Sequence, residues 1–232
     1  MPQASVFCFP YAGGNAYAYR PLQAHLPSAV DVSTVELPGR GRRMREPLLR
    51  SLDAMADDAF AQIRPRLTAT PYALFGHSMG ATLAYLCLQR IAAAGLPLAR
   101  AAILSGRRGP SVEKRSTRHL LAHDDFRKML TALGGCPVEV LADDDCFGFF
   151  EPILRADFQA VETWRPQRPP PLPVPLVVLR GRDDEVTRDE AAAWALETTA
   201  SFELVEFDGG HFFLERAWPE IAGLIRASLA GD

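Results

Sequence analysis

The fold class this sequence predicts is α/β, with a mostly parallel central sheet covered by helices. Two patterns predict it. Six short runs rich in β-branched and aromatic residues recur along the chain, and helix-like stretches separate them. Strands that alternate with helices need long crossovers, which give parallel neighbours and helices on both faces. The alternation breaks once, between about 107 and 172, which predicts a helical lid inserted in a single domain spanning 1–232.

Taken in order, the strand-like runs are "SVFCF" (5–9), "VDVSTVEL" (30–37), "YALFG" (72–76), "AAILS" (101–105), "PLVVLRG" (175–181) and "FELVEF" (202–207). A helix is expected over 51–67, with Ser51 as N-cap and Pro65 near its end. A second, alanine-rich helix over 79–94 stops at Gly95. A third covers 212–229, with Trp218, Ile221, Leu224, Ile225 and Leu229 on one face. Within the break, "RHLLAHDDFRKMLTALGG" and "CFGFFEPILRADFQAVETW" are helix-prone, and "RPQRPPPLPVP" forms a stiff return to the sheet.

The bulk composition excludes several functions. The 232 residues are 48% hydrophobic and 23% charged, which is ordinary for a soluble globular protein. A net charge of −3 argues against nucleic-acid binding, which needs a basic surface. Uninterrupted apolar runs fall short of the ~18 residues of a membrane span. No signal peptide is expected at "MPQASVFCFPYAGG". Cys8, Cys87, Cys136 and Cys146 lack metal-ligand spacing and read as reduced thiols, so a cytosolic setting is expected.

The chemistry concentrates around "LFGHSMG" (74–80). "GHSMG" matches the G-x-S-x-G elbow, in which a serine sits on a strained turn between a strand and a helix. Gly76 and Gly80 fit because the residues flanking such a turn at two positions pack against each other. Ser78 is therefore the candidate nucleophile, and it needs a base and an orienting acid.

Of the five histidines, His77 lies inside the elbow and would point away from Ser78. His25 lies in an early helix-like segment, and His119 and His123 fall in the lid. His211, in "VEFDGGHFFLE", follows a strand and two glycines that allow a tight loop back toward the elbow. It is the best-placed base. The acid should lie just past a strand's carboxyl end, on the same sheet edge as the elbow. Asp183 and Asp184 in "RGRDDEVT" both qualify. The order Ser, Asp, His is that of α/β-hydrolases. For the oxyanion, the Met79 N–H follows the nucleophile directly. A second donor should come from "FPYAGGNA", either Ala12, the preferred choice, or Tyr11.

Together "FPYAGGNA", "ELPGRGRR", "FGHSMGA", "ILRADF", "GRDDEVT" and "GGHFFL" make the chain resemble the type II thioesterases. These are stand-alone α/β-hydrolases that serve non-ribosomal peptide and polyketide synthases. The resemblance covers nearly the whole chain and implies hydrolysis of acyl or aminoacyl thioesters on the phosphopantetheine arm of carrier proteins. By position it makes Ser78 the nucleophile, His211 the base and Asp183 the acid, because the family's aspartate stands three residues before a valine, here Val186. Gly181 lies only two residues ahead of Asp183, one fewer than that pattern. No metal or redox cofactor is implied, since the phosphopantetheine belongs to the substrate, and a monomer is expected. Two basic islands, 39–45 and 107–118, are candidate carrier-docking surfaces. Phe147, Phe149, Phe150 and Phe158 are candidates to line the acyl chamber. A free-ester esterase or lipase and a non-catalytic binding protein are the competing readings.

Overall fold

The computed structural model describes residues 3–167 and 169–230, and all six expected strands form in it. These are β1 (Ala4–Phe9), β2 (Val30–Thr34), β3 (Tyr72–His77), β4 (Ala101–Ser105), β5 (Leu176–Gly181) and β6 (Phe202–Phe207). They stand in the order β2-β1-β3-β4-β5-β6, and every pairing is parallel. β2 ends at Thr34, three residues earlier than expected, and the Val35 N–H makes one further bond to the Cys8 carbonyl of β1 at 2.9 Å.

Successive side chains of a strand face opposite sides of the sheet, and both sides are apolar here. Phe7, Phe9, Leu74 and Leu104 pack on one face, against α2 (Leu52–Ile63) and α3 (Met79–Ala93). Val6, Cys8, Phe75 and Ile103 pack on the other, against α1 (Arg20–Gln23) and the last helix of the chain. α2 stops at Ile63 because Pro65 cannot continue the α-helical ladder, and a 3₁₀ turn over Arg64–Arg66 follows.

Between β4 and β5 the chain leaves the sheet to form α4 (His123–Leu133), α5 (Val138–Ala142) and α6 (Asp144–Thr163). These enclose their own apolar cluster of Phe126, Leu130, Leu141, Phe147, Leu154 and Phe158. The proline-rich return follows; its Arg168 lies outside the described residues. After β5 come α7 (Arg188–Ala192), opened by a Thr187–Glu190 capping box, and finally α8 (Trp218–Ala230). α8 begins at Trp218 and not at 212, because Pro219 is tolerated only in a helix's first turn. The preceding Phe213–Arg216 is a 3₁₀ turn. Among the described residues, no helix is long and apolar enough to cross a membrane.

The strand order places a topological switch between β1 and β3, where the winding reverses. In a parallel sheet, ligands bind at the carboxyl ends of the strands beside such a switch. The loops that leave β1, β3, β4, β5 and β6 all emerge there, and the α4–α6 insertion starts from the same edge.

Candidate active site

Ser78 stands directly after β3, at φ 55° and ψ −116°. Among the described residues it is the single non-glycine with positive φ. Such a conformation costs of order 1–3 kcal/mol and persists only where the surroundings enforce it. Here its N–H donates to the Ser105 carbonyl at 2.7 Å, tying the turn to the end of β4. The flanking glycines make the turn possible. A Cβ on Gly76 would sit 2.1 Å from the Gly80 carbonyl oxygen, and one on Gly80 would sit 2.0 Å from that of Phe9.

His211 sits in the loop after β6, and its Nδ1 lies 2.9 Å from Oδ2 of Asp184. This corrects the expectation of Asp183. The Asp184 N–H bonds the Gly181 carbonyl at 3.2 Å, closing a tight turn at the end of β5 that swings the Asp184 side chain inward. Its side chain is fully buried, and its Oδ1 accepts from the Val186 N–H at 3.3 Å. The Asp183 N–H instead bonds the Gly209 carbonyl at 2.9 Å, and the residue is exposed to solvent. Asp184 stands three residues after Gly181, the glycine spacing that Asp183 lacks, and two before Val186.

Ser78, Met79, Tyr11, Ala12 and His211 line one cavity of about 470 Å³. In the loop after β1, the Gly13 N–H is taken by Asp157 Oδ2 at 2.8 Å, and the Gly14 N–H by the Tyr11 carbonyl at 2.8 Å. Those two amides are spoken for, leaving Ala12 or Tyr11, the same pair the sequence allows, to offer a donor. Met79 is the first residue of α3, where amides have no intrahelical acceptor.

The remaining histidines go elsewhere. His77 is wholly buried, with Nδ1 2.9 Å from Ser105 Oγ and Nε2 without a partner. Its ring lies 4.8 Å from that of His211. Burial, and secondarily the charge of His211, hold its pKa well below the usual value, so it remains neutral. His119 bonds Glu162 and His123 bonds Glu151, and His25 is exposed. Of the insertion's aromatics, Phe150 and Phe158 line the cavity. Phe147 is sunk in the insertion's own cluster, and Phe149 is half exposed.

The two basic islands differ. In 39–45, Arg40 pairs with Asp157, Arg42 with Glu36, and Arg43 with both Glu46 and Asp58. That island is largely neutralised from within, which removes most of its claim as a docking surface. In 107–118, Arg118 pairs with Glu185, but among the described residues no carboxylate pairs with Arg107, Arg108 or Lys114, and all three line the cavity. Burial and the neighbouring Arg108 lower the Arg107 pKa to about 10, against the opposing pull of Glu185 and Glu162.

Sequence reasoning passed over two contributors. Ser105 is the last residue of β4, and its place at the carboxyl end of a parallel strand could have flagged it. Asp157 is a fully buried carboxylate on the mostly apolar α6. An acidic residue set among "ILRADF" is itself a signal, since acids are rarely buried unpaired.

The chain has clear relatives. The family model described as "Thioesterase domain" matches residues 4–229. The "Probable cadicidin biosynthesis thioesterase" of Streptomyces griseus is 38% identical over 208 residues, which are 89% of this chain and 57% of that protein. Among solved structures, the type II thioesterase BorB from the borrelidin biosynthetic cluster matches with a TM-score of 0.90 at 38% identity, covering 97% of this chain and 92% of that one. RedJ, a thioesterase from the prodiginine pathway of Streptomyces coelicolor, matches with a TM-score of 0.91 at 34% identity, covering 98% and 86%.

Proposed function

Since the chain belongs to the thioesterase family, we propose that it hydrolyses acyl or aminoacyl thioesters from the phosphopantetheine arm of carrier proteins in peptide or polyketide biosynthesis. The observation that carries this reading is the strained Ser78 sharing a cavity with His211, whose Nδ1 is held by Asp184.

In this mechanism Ser78 Oγ attacks the thioester carbonyl while His211 Nε2 takes its proton. Asp184 accepts from His211 Nδ1–H, which fixes the tautomer and stabilises the imidazolium. The oxyanion is held by the Met79 N–H and by that of Ala12 or Tyr11. The intermediate collapses, His211 returns its proton to the departing pantetheine sulfur, and an acyl-serine remains. Water, deprotonated by His211, then releases the acid and restores Ser78. The chemistry requires neither metal nor redox cofactor. The apolar side of the cavity, with Leu130, Leu133, Phe150 and Phe158, suits an acyl chain. The unpaired cations of 107–118 suit the approach of an acidic carrier protein. The free Cys8, Cys87, Cys136 and Cys146 accord with a reducing, cytosolic setting.

The test loads a panel of acyl groups onto carrier proteins and measures their release by the wild type and by Ser78→Ala. Release should fall by at least about 10³-fold in the mutant. Full release by Ser78→Ala would end the covalent route. A higher kcat/KM on a p-nitrophenyl ester than on any carrier-bound acyl group would favour a free-ester hydrolase.

A further inference from the structure

Three segments far apart in sequence meet behind the cavity at one buried ion pair. Arg40 Nη1 and Nη2 reach Asp157 Oδ2 and Oδ1 at 2.6 and 2.7 Å, a two-pronged contact. The two side chains are 3% and 0% exposed. The same Oδ2 accepts the Gly13 N–H at 2.8 Å, and Arg40 Nη1 reaches the Gly14 carbonyl at 3.4 Å. Arg40 comes from the loop after β2, Asp157 from α6 of the insertion, and Gly13 from the loop after β1. A side chain on Gly13 would also run into Leu154, one turn before Asp157 on α6, with its Cβ 2.6 Å from Leu154 Cδ2.

We propose that Asp157, held by Arg40, is a positioning residue that sets the oxyanion-binding loop from the insertion. The inference rests on the catalytic reading above. By capturing the Gly13 N–H behind the loop, Asp157 fixes the peptide plane there. That orientation leaves the preceding amides, Ala12 and Tyr11, to face the cavity. An oxyanion hole gains its effect from donors already aimed at where charge develops, so a small rotation of this loop costs rate without costing binding. Arg40 has a complementary duty. A lone carboxylate in this dry position would sacrifice its charge or its place, and a rigid guanidinium fork holds both oxygens in plane. α6 therefore does more than cover the cavity. When it is displaced from the sheet edge, the loop loses its anchor and the oxyanion site is not set.

The experiment uses Asp157→Asn, Arg40→Lys and the double variant Arg40→Met with Asp157→Leu. The double variant removes both charges together, a replacement that buried ion pairs commonly tolerate in stability. Each is measured for thermal unfolding, for kcat and KM on an acyl-pantetheine thioester, and for affinity toward two analogues. One is a trifluoromethyl ketone, which forms a tetrahedral oxyanion adduct on Ser78; the other is an unreactive amide isostere. In Asp157→Asn, kcat should fall about tenfold to a hundredfold with KM within about twofold. Trifluoromethyl ketone affinity should fall in step, and amide affinity should hold. Arg40→Lys should fall between Asp157→Asn and wild type, and the double variant should unfold normally yet match Asp157→Asn in kcat. Full kcat in any folded variant lacking the Asp157 carboxylate would overturn the proposal. So would equal losses on both analogues, or the collapse of all three variants, which would assign the pair to the fold alone. Ser78→Ala runs alongside: if it stays active, the catalytic reading itself has failed, whereas an inactive Ser78→Ala beside a fully active Asp157→Asn removes only this inference.

Discussion

Replacing Asp184 by asparagine separates it sharply from its neighbour Asp183. The Asp184 carboxylate serves two donors at once: Oδ1 accepts the Val186 N–H, and Oδ2 accepts from His211 Nδ1. An asparagine has one acceptor oxygen. If that oxygen stays with Val186, its NH₂ faces His211 and forces the imidazole to carry its proton on Nε2, where it cannot act as a base. If the amide flips, the buried Val186 N–H loses its acceptor and faces a second donor. Either way, the negative charge that stabilises the imidazolium is gone from a fully buried position. The corresponding change in serine-protease triads lowers turnover by about 10⁴, which is about 5.5 kcal/mol at 1.36 per tenfold. A loss of about 10³ to 10⁴ in kcat is therefore expected for Asp184→Asn, read by thiol release from an acyl-pantetheine thioester, with circular dichroism to confirm folding. Asp183→Asn alters an exposed side chain and should stay within about twofold. The reverse pattern, with Asp183→Asn crippled and Asp184→Asn within tenfold of wild type, would refute the reasoning.

Gly80→Ala should destabilise the protein by about 3 kcal/mol or more, because its Cβ meets backbone and not a flexible side chain; urea unfolding midpoints measure this. His77 makes stability depend on pH. Its folded pKa is depressed by burial, so the unfolded chain binds a proton that the native state refuses. Stability is therefore full above about 6.5 and declines as pH falls below it, by up to about 1.4 kcal/mol per unit; His77→Gln should flatten that slope between pH 6.5 and 5. Reversing charge at Lys114 and Arg115 together should lower kcat/KM on a carrier-bound acyl group and spare a small pantetheine thioester, with the deficit shrinking in high salt. Equal loss on both substrates would remove 107–118 as a docking surface.

Much of this architecture was legible in the one-dimensional pattern. The six strands fall within a few residues of their expected bounds because strands buried on both faces are continuous apolar runs, closed by glycine or polar turns. The elbow was legible for a similar reason: the steric demand at Gly76 is local, set by the Gly80 carbonyl within the turn, whereas the one at Gly80 comes from Phe9 of β1. The helix ends were less so: Pro65 marked the end of α2 in the sequence, yet the helix stops at Ile63, and Pro219 delays the start of α8 to Trp218 through backbone geometry that a periodic pattern does not register.

The sequence alone determined a parallel α/β sheet, a serine on its central turn, a histidine behind two glycines, and an acidic pair on the loop between them. Those follow from local rules of strand, turn and chain order. Which of two adjacent aspartates faces the histidine was decided only in three dimensions. Neighbouring residues on a tight turn point in opposite directions, and the bond from the Asp184 N–H to Gly181 sets which one turns inward. Tertiary structure likewise joined Arg40 to Asp157 across 117 positions and neutralised one basic island while leaving the other open. Ion pairing depends on which charges the fold brings within reach, and no spacing along the chain encodes that distance.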